Sequence, residues 1–150
     1  MQLILITIGK NQFTDSQIRS LEHIVQQHYR THISNVSTRI LWNQVPKGDS
    51  YKDYQQKQPS IISVGCEVGF DQEKRVRMFE NCSEDWLAIT GQDQEDLVIA
   101  ILEQPIFEAF LKWNSQQLTG LGKLKFYIHI LSSLVFNKTR KEYFAFDSSF

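Results

Sequence analysis

An α/β fold built from two successive strand–helix–strand units is what this sequence predicts, and three observations predict it. Short apolar, isoleucine-rich runs read as buried strands. Stripes of helical period follow the first and third of them. The punctuation also recurs: the caps Thr14 and Asp71 lie 57 positions apart and the prolines Pro46 and Pro105 lie 59 apart, which suggests an internal duplication.

The first run, Leu3–Ile8, contains no breaker and is bounded by Gly9. Thr14-Asp15-Ser16-Gln17 then fits a capping box, in which hydroxyl and amide satisfy each other's backbone N–H. Ile18, Leu21, Val25 and His28 follow at helical spacing, and the helix is expected to run to about Thr31. Thr38–Val45 is the second strand, closed by Pro46, which cannot donate to a ladder. Lys47–Pro59, with Tyr51 and Tyr54, reads as a polar loop or short hairpin.

The pattern then repeats. Ser60–Val68 reads as a strand, Asp71 as an N-cap, and Val76, Phe79, Cys82, Trp86 and Ile89 as one helical face ending at Gly91. Leu97–Leu102 is a short apolar strand, with Pro105 as its terminator. Each crossover is expected to be right-handed and to pair its strands in parallel. The first unit thus covers about 2–46, the second about 60–105, and a C-terminal extension 106–150, all in one domain. In the extension, Ile106–Leu118 is amphipathic, Thr119-Gly120-Leu121-Gly122 reads as a break, and Leu124, Ile128, Leu131 and Val135 form another helical stripe. Tyr143-Phe144-Ala145-Phe146 alternates too little to assign and is expected to dock on the chain's own core or on a symmetry partner.

Composition bounds the function. With 150 residues and 41% hydrophobic side chains, a single core hides roughly 70% of the unfolded surface without metal or disulfide. Sixteen Lys+Arg against 17 Asp+Glu give a charge of −1, no footprint for nucleic acid or an anionic membrane. No apolar run approaches a membrane span, and Met1-Gln2-Leu3-Ile4 lacks a signal peptide's basic region. Cys66 and Cys82 fit no disulfide framework or zinc spacing and read as inert core thiols in a reducing, cytoplasmic setting. No cofactor motif is present. Lys74, Arg75 and Arg77 share their helix with Glu73, Glu80, Glu84 and Asp85, which reads as a mixed-charge solvated face rather than a phosphate site.

The order of these features resembles the tautomerase superfamily, in particular its fused two-unit members of the cis-3-chloroacrylic acid dehalogenase type. The residues that carry the likeness are Met1–Gly9, Gln44–Tyr51, and the second unit with its Thr90-Gly91 stop and Glu103-Gln104-Pro105 strand end. The resemblance covers about residues 1–105 and implies a tautomerase-like duplicated βαβ sandwich assembled as a homotrimer. It also implies an amino-terminal proline acting as base or nucleophile, with arginines holding the carboxylate of a 2-oxo or unsaturated acid.

This sequence departs from that chemistry at its centre. The position matching the catalytic proline is Gln2, which is also too bulky for the usual removal of Met1. The Met1 α-amine would then stand one Cα step, roughly 3.8 Å, from the family's nitrogen. The family's helix histidine falls on Tyr29, its arginine pair on Glu67 and Phe70, and its strand tyrosine on Ala100; Glu108 is three positions from the expected carboxylate. The expectation is therefore a superfamily member with weak or absent proline-dependent tautomerase or dehalogenase activity, keeping a small-molecule pocket near Met1 and Gln2. One alternative is an isomerase acting on a small organic acid through the Met1 amine, or through Tyr29 and Glu67. Another is a structural or interaction homotrimer without a ligand. Arg39 is the candidate carboxylate holder, against the plainer reading of a surface or intersubunit charge. His28 and Glu103 read as structural. No metal, nucleic acid or membrane enters any of these readings.

Overall fold

The computed structural model describes residues 1–49, 51–52, 55–116 and 120–147. Its central sheet has five strands: β1 (Gln2–Gly9), β2 (Thr38–Val45), β5 (Ser60–Cys66), β6 (Leu97–Glu103) and β7 (Ala145–Asp147), in the order β6-β5-β1-β2-β7. β1 pairs in parallel with β2 and β5 with β6, while β1 and β5 are antiparallel. Helices α1 (Asp15–His32) and α2 (Gln72–Thr90) are the two crossovers. They pack on each other and on Ile4, Ile6 and Ile8 of β1, Ile40 and Trp42 of β2, and Ile62 and Val64 of β5, all buried. Strand alternation leaves Leu3, Leu5, Leu41, Ile61, Val98, Ala100 and Leu102 on the opposite face.

Both helices start as their sequences dictate. Thr14 Oγ1 accepts from the Gln17 N–H at 3.2 Å and the Gln17 side chain accepts from the Thr14 N–H at 3.0 Å. Asp71 accepts from the Lys74 N–H at 2.9 Å, and Gly91 ends α2 at φ +66°.

Several expectations need correction. β5 stops at Cys66, two residues short of Val68. In α2 the core stripe is Met78, Cys82 and Trp86; Val76 and Phe79 are exposed beside the edge-strand residues Ile99 and Ile101. A 3.6-residue period admits two overlapping stripes that share Cys82 and Trp86, the latter stacked on Trp42 with ring centroids 6.2 Å apart, and the fold buries the one that contains Met78. Pro105 does not terminate a strand: it lies in the first turn of α3 (Gln104–Gln116), where a missing N–H costs nothing. The expected break does separate two helices, α3 and α4 (Gly120–Lys141), although Gly120 and Gly122 themselves belong to the first turn of α4. Tyr54, Leu118 and Thr119 lie outside the described residues.

The unassigned aromatic tail docks on its own chain. β7 pairs in parallel with β2, Tyr143 and Ala145 are buried, and the Tyr143 hydroxyl donates to Asp15 at 2.8 Å. Lys47–Pro59 contains a two-strand ladder, β3 (Tyr51–Lys52) with β4 (Gln55–Gln56). The helical stripes of the extension do not face this core: Ile106 and Trp113 of α3 and Ile128, Leu131 and Val135 of α4 are all exposed, although Phe107 is buried.

Two stability predictions follow from these contacts. At Gly91 nothing would touch an added Cβ, so Gly91→Ala reads the left-handed backbone alone and lowers the unfolding free energy by about 1 kcal/mol, measured by urea midpoint at unchanged slope. Burial raises the Glu22 carboxyl above its ordinary range, against the hydrogen bond from Trp42 and the charge of Lys138. A carboxyl raised in the fold favours folding below its unfolded pKa and loses that contribution as pH rises through the folded one. Glu22→Gln is therefore more stable than wild type at neutral pH, and thermal melts show that advantage vanishing at acid pH.

Candidate functional site

The site forms where β1 begins, β5 ends, α1 ends and α3 begins. Tyr29 lies on the buried stripe of α1, and its carbonyl accepts from the N–H groups of Ile33 and Ser34, which ends the helix. The Tyr29 side chain crosses to β5, where its hydroxyl donates to the Gly65 carbonyl at 3.2 Å. The Gln2 backbone N–H is committed to Ser37 O at 2.8 Å. The Gln2 side-chain amide donates to Gln104 Oε1 at 2.9 Å, and Gln104 Nε2 donates to Glu108 at 2.8 Å.

These groups enclose a cavity of about 320 Å³, walled by Gln2, Tyr29, Gly65, Cys66, Glu67 and Gln104 and closed by Ile33, Ser34 and Val36. That volume suits a small ligand. Gly65 makes room for it: a Cβ there would collide with the Gln104 oxygen and lie 2.6 Å from Gln2 Nε2. A glycine inside a strand pattern signals such close approach, so this residue was readable. Gln104 was not, because its place depends on the path of α3 after the sheet.

The cavity gathers three of the expected residues, Gln2, Tyr29 and Glu67, and not the other two. Met1 is 77% exposed and forms no part of the wall. Arg39 is exposed and holds its guanidinium 5.2 Å from the Phe144 ring centre, away from the cavity. His28 bonds Asp85 at 2.7 Å and joins α1 to α2. Glu103 accepts from the Gly69 N–H at 3.0 Å and pairs with Arg75, fastening the turn before α2. Glu67 is exposed at the cavity rim.

Electrostatics keep the interior groups protonated. Burial, with Cys66 adding, pushes the Tyr29 phenol up. Burial also pushes the Cys66 thiol up, opposed by Arg75 and reinforced by Glu103 and Glu67. Cys82, deep in the core, is pushed up to about 12 by burial. The cavity thus offers a phenol, a thiol, a hydroxyl and amides as hydrogen-bonding groups, and no Arg or Lys side chain is among its walls. Among the described residues no three of His, Cys, Asp or Glu converge on a metal position, and no helix is long and apolar enough to cross a membrane.

No family model matches the sequence, and no curated protein is a significant match. Solved structures do match. N1, a member of the cis-3-chloroacrylic acid dehalogenase family, superposes at a TM-score of 0.62 with 9% identity over 80% of each chain. An asymmetric trimer of fused 4-OT gives 0.61 with 14% identity over 67% of this chain and 85% of its own. FG41 malonate semialdehyde decarboxylase inhibited by 3-bromopropiolate gives 0.57 with 22% identity over 68% and 82%. All three are tautomerase-superfamily structures. The fold is tautomerase-like.

Within this tautomerase-like frame, Tyr29 provides a direct test of the cavity's polarity. In an alkaline titration followed at the tyrosinate absorbance, Tyr29 ionises later than an exposed tyrosine. Tyr143, pushed up further by burial and by Asp15, also ionises late, so Tyr29→Phe reduces the late component by one tyrosine rather than removing it, and it costs about 1 kcal/mol through loss of the hydrogen bond to the Gly65 carbonyl.

Proposed function

We propose that this chain is a tautomerase-superfamily protein without proline-dependent catalysis, which keeps a small-molecule pocket at the start of β1 and assembles as a homotrimer. The observation that carries the reading is the state of Gln2. Its backbone nitrogen is an amide already donating to Ser37, and its side-chain nitrogen is an amide donating to Gln104. Neither can take up a proton, so the cavity has no basic nitrogen where the superfamily's chemistry needs one. The missing cation argues the same way. An organic acid entering this cavity meets the Glu67 carboxylate and no guanidinium among the described wall residues.

The trimer reading is supported by the sheet face turned away from α1 and α2. Ile61 and Val98 are exposed there, and Leu3, Leu5 and Leu41 are half-buried. The matching fused 4-OT structures are trimers. A second reading, an isomerase working through Tyr29 and Glu67 or through the Met1 amine, is favoured by one observation: Tyr29 and Glu67 share a cavity. Against it, the Tyr29 phenol is held protonated and Met1 stands outside the walls.

Ketonisation of an aryl pyruvate separates these readings. Wild type is expected to fall below the ~1 s⁻¹ at the low end of enzyme turnover, and Gln2→Pro with Met1 removed is expected to gain rate. Turnover by wild type in the enzyme range, abolished by acetylating its α-amine, would overturn the proposal. For assembly, sedimentation should give three times the chain mass, and charges placed in the sheet face by Ile61→Lys with Val98→Lys should return it to one.

A further inference from the structure

Beside the cavity lies a second concavity of about 310 Å³ between the end of α1 and the first turns of α2. The two share Ile33 and Ser34 as wall residues, so they adjoin across that short segment. Their chemistry is opposite. The cavity has no Arg or Lys in its wall, whereas this groove is walled by Arg30, His32, Lys74 and Arg77 and by no acidic side chain. Read along the sequence, the α2 cations share their helix with four acids; the fold selects among them. Asp71 turns to the Lys74 N–H, Asp85 to His28, and Glu73 pairs with Arg77. Arg30 arrives from α1, and neither it nor Lys74 forms an ion pair among the described residues.

We propose that this groove binds the phosphate group of a small organic phosphate, whose uncharged body extends past Ile33 and Ser34 into the cavity. Arg30 and Lys74 wall this concavity without an ion-pair partner among the described residues, Lys74 Nζ standing 5.9 Å from the Phe70 ring centre, and a doubly charged anion between them supplies the missing counter-charge. Arg30 supplies a fork of N–H donors matched to phosphate oxygens, and Lys74 a compact charge. Lys74 stands in the first turn of a 19-residue helix whose N-terminus is capped by the Asp71 carboxylate and carries Glu73 in the same turn, so the groove's attraction for an anion rests on the side-chain cations. His32 is stacked on His28 and hydrogen-bonded to Asn81 at 3.1 Å, so its ring is fixed at the groove wall. The groove lies on the helical side of the sheet, so it stays open to solvent when the opposite face is covered in an assembly. The position of the ligand body rests on the proposed pocket function; the phosphate site does not.

The test uses the full chain and holds ionic strength constant with chloride, because exposed charges are screened by salt. Inorganic phosphate is titrated while backbone amide and histidine ring resonances are followed by NMR. Saturable shifts centred on Arg30, His32, Lys74 and Arg77 are expected, with affinity at least tenfold lower in Arg30→Ala/Lys74→Ala. Arg39→Ala, removing a cation outside the groove, should bind as wild type, and unchanged melting temperatures establish that all variants are folded. Shifts that do not saturate, or equal affinity in the double variant, overturn the phosphate site. Phenyl phosphate then probes the body: tighter binding than inorganic phosphate, with the Gln2 and Gln104 side-chain amides perturbed, supports the bridging ligand. Equal affinity without those perturbations overturns the bridge and the pocket reading beneath it, and leaves the phosphate site standing.

Discussion

The antiparallel pairing of β1 with β5 is the constraint from which the site follows. Ile4 stands opposite Val64 and Ile6 opposite Ile62, so the beginning of one strand and the end of the other meet at one end of the sheet. Because β2 and β6 run parallel to their partners, the end of α1 and the beginning of α3 arrive there as well. Four chain segments with strand or helix ends face one another at that point, each with backbone groups that need partners. Tyr29 satisfies part of that demand by donating to the Gly65 carbonyl across elements, while Gln2 and Gln104 join β1 to α3 side chain to side chain. Gly65 contributes no side chain where these groups converge, which leaves room for the bond between Gln2 and Gln104 at the cavity wall.

The same convergence sets the chemistry. Burial favours uncharged forms, and Tyr29 and Cys66 are both shifted toward keeping their protons. A group held protonated can donate a hydrogen bond or a proton but cannot abstract one, so Tyr29 and Cys66 do not supply the cavity with a base. Charge is displaced to the edges, with Glu67 at the exposed rim and the cations of α1 and α2 in the adjoining groove. An uncharged pocket next to a cationic groove is a different arrangement from one cavity carrying both a base and its carboxylate holders, and it is what links the two proposals made above.

Much of the fold was legible because its determinants are local. Isoleucine-rich runs, a capping box and a glycine stop each carry their meaning within a few residues, and β1, β2, α1 and α2 appear where those signals stand. The readings that failed are those decided by distant packing. Met78 and Phe79 each complete a helical stripe with Cys82 and Trp86, and only the packing of α2 on the sheet shows that Met78 is the one buried. Pro105 serves equally well after a strand or inside a first helical turn, and its φ alone does not distinguish them. β7, three residues long, is shorter than any period that could reveal it. Of the site, Tyr29, Gln2 and Glu67 were found through the family resemblance; Gln104 needed the path of α3, and the groove needed α1 and α2 brought side by side.

The apolar surface left outside the core bears on assembly. In the single chain Trp113, Ile128, Leu131 and Val135 are each about 60% exposed, at 60, 59, 60 and 64%, on helices that contribute little to the main cluster. Isolated exposed hydrophobic residues need no explanation, but a stripe of them repeated on two successive helices does. The opposite sheet face adds Ile61 and Val98 to the same account. Charged residues, in contrast, line the groove on the helical side. Association through the sheet face would bury Ile61, Val98 and the half-buried leucines of β1 and β2, with Arg39 on the same face as Leu41 and held over the Phe144 ring, and would keep the groove on the side that remains wet. The exposed apolar residues of this face are the physical argument for the proposed oligomer, and it holds independently of whether any ligand occupies the cavity.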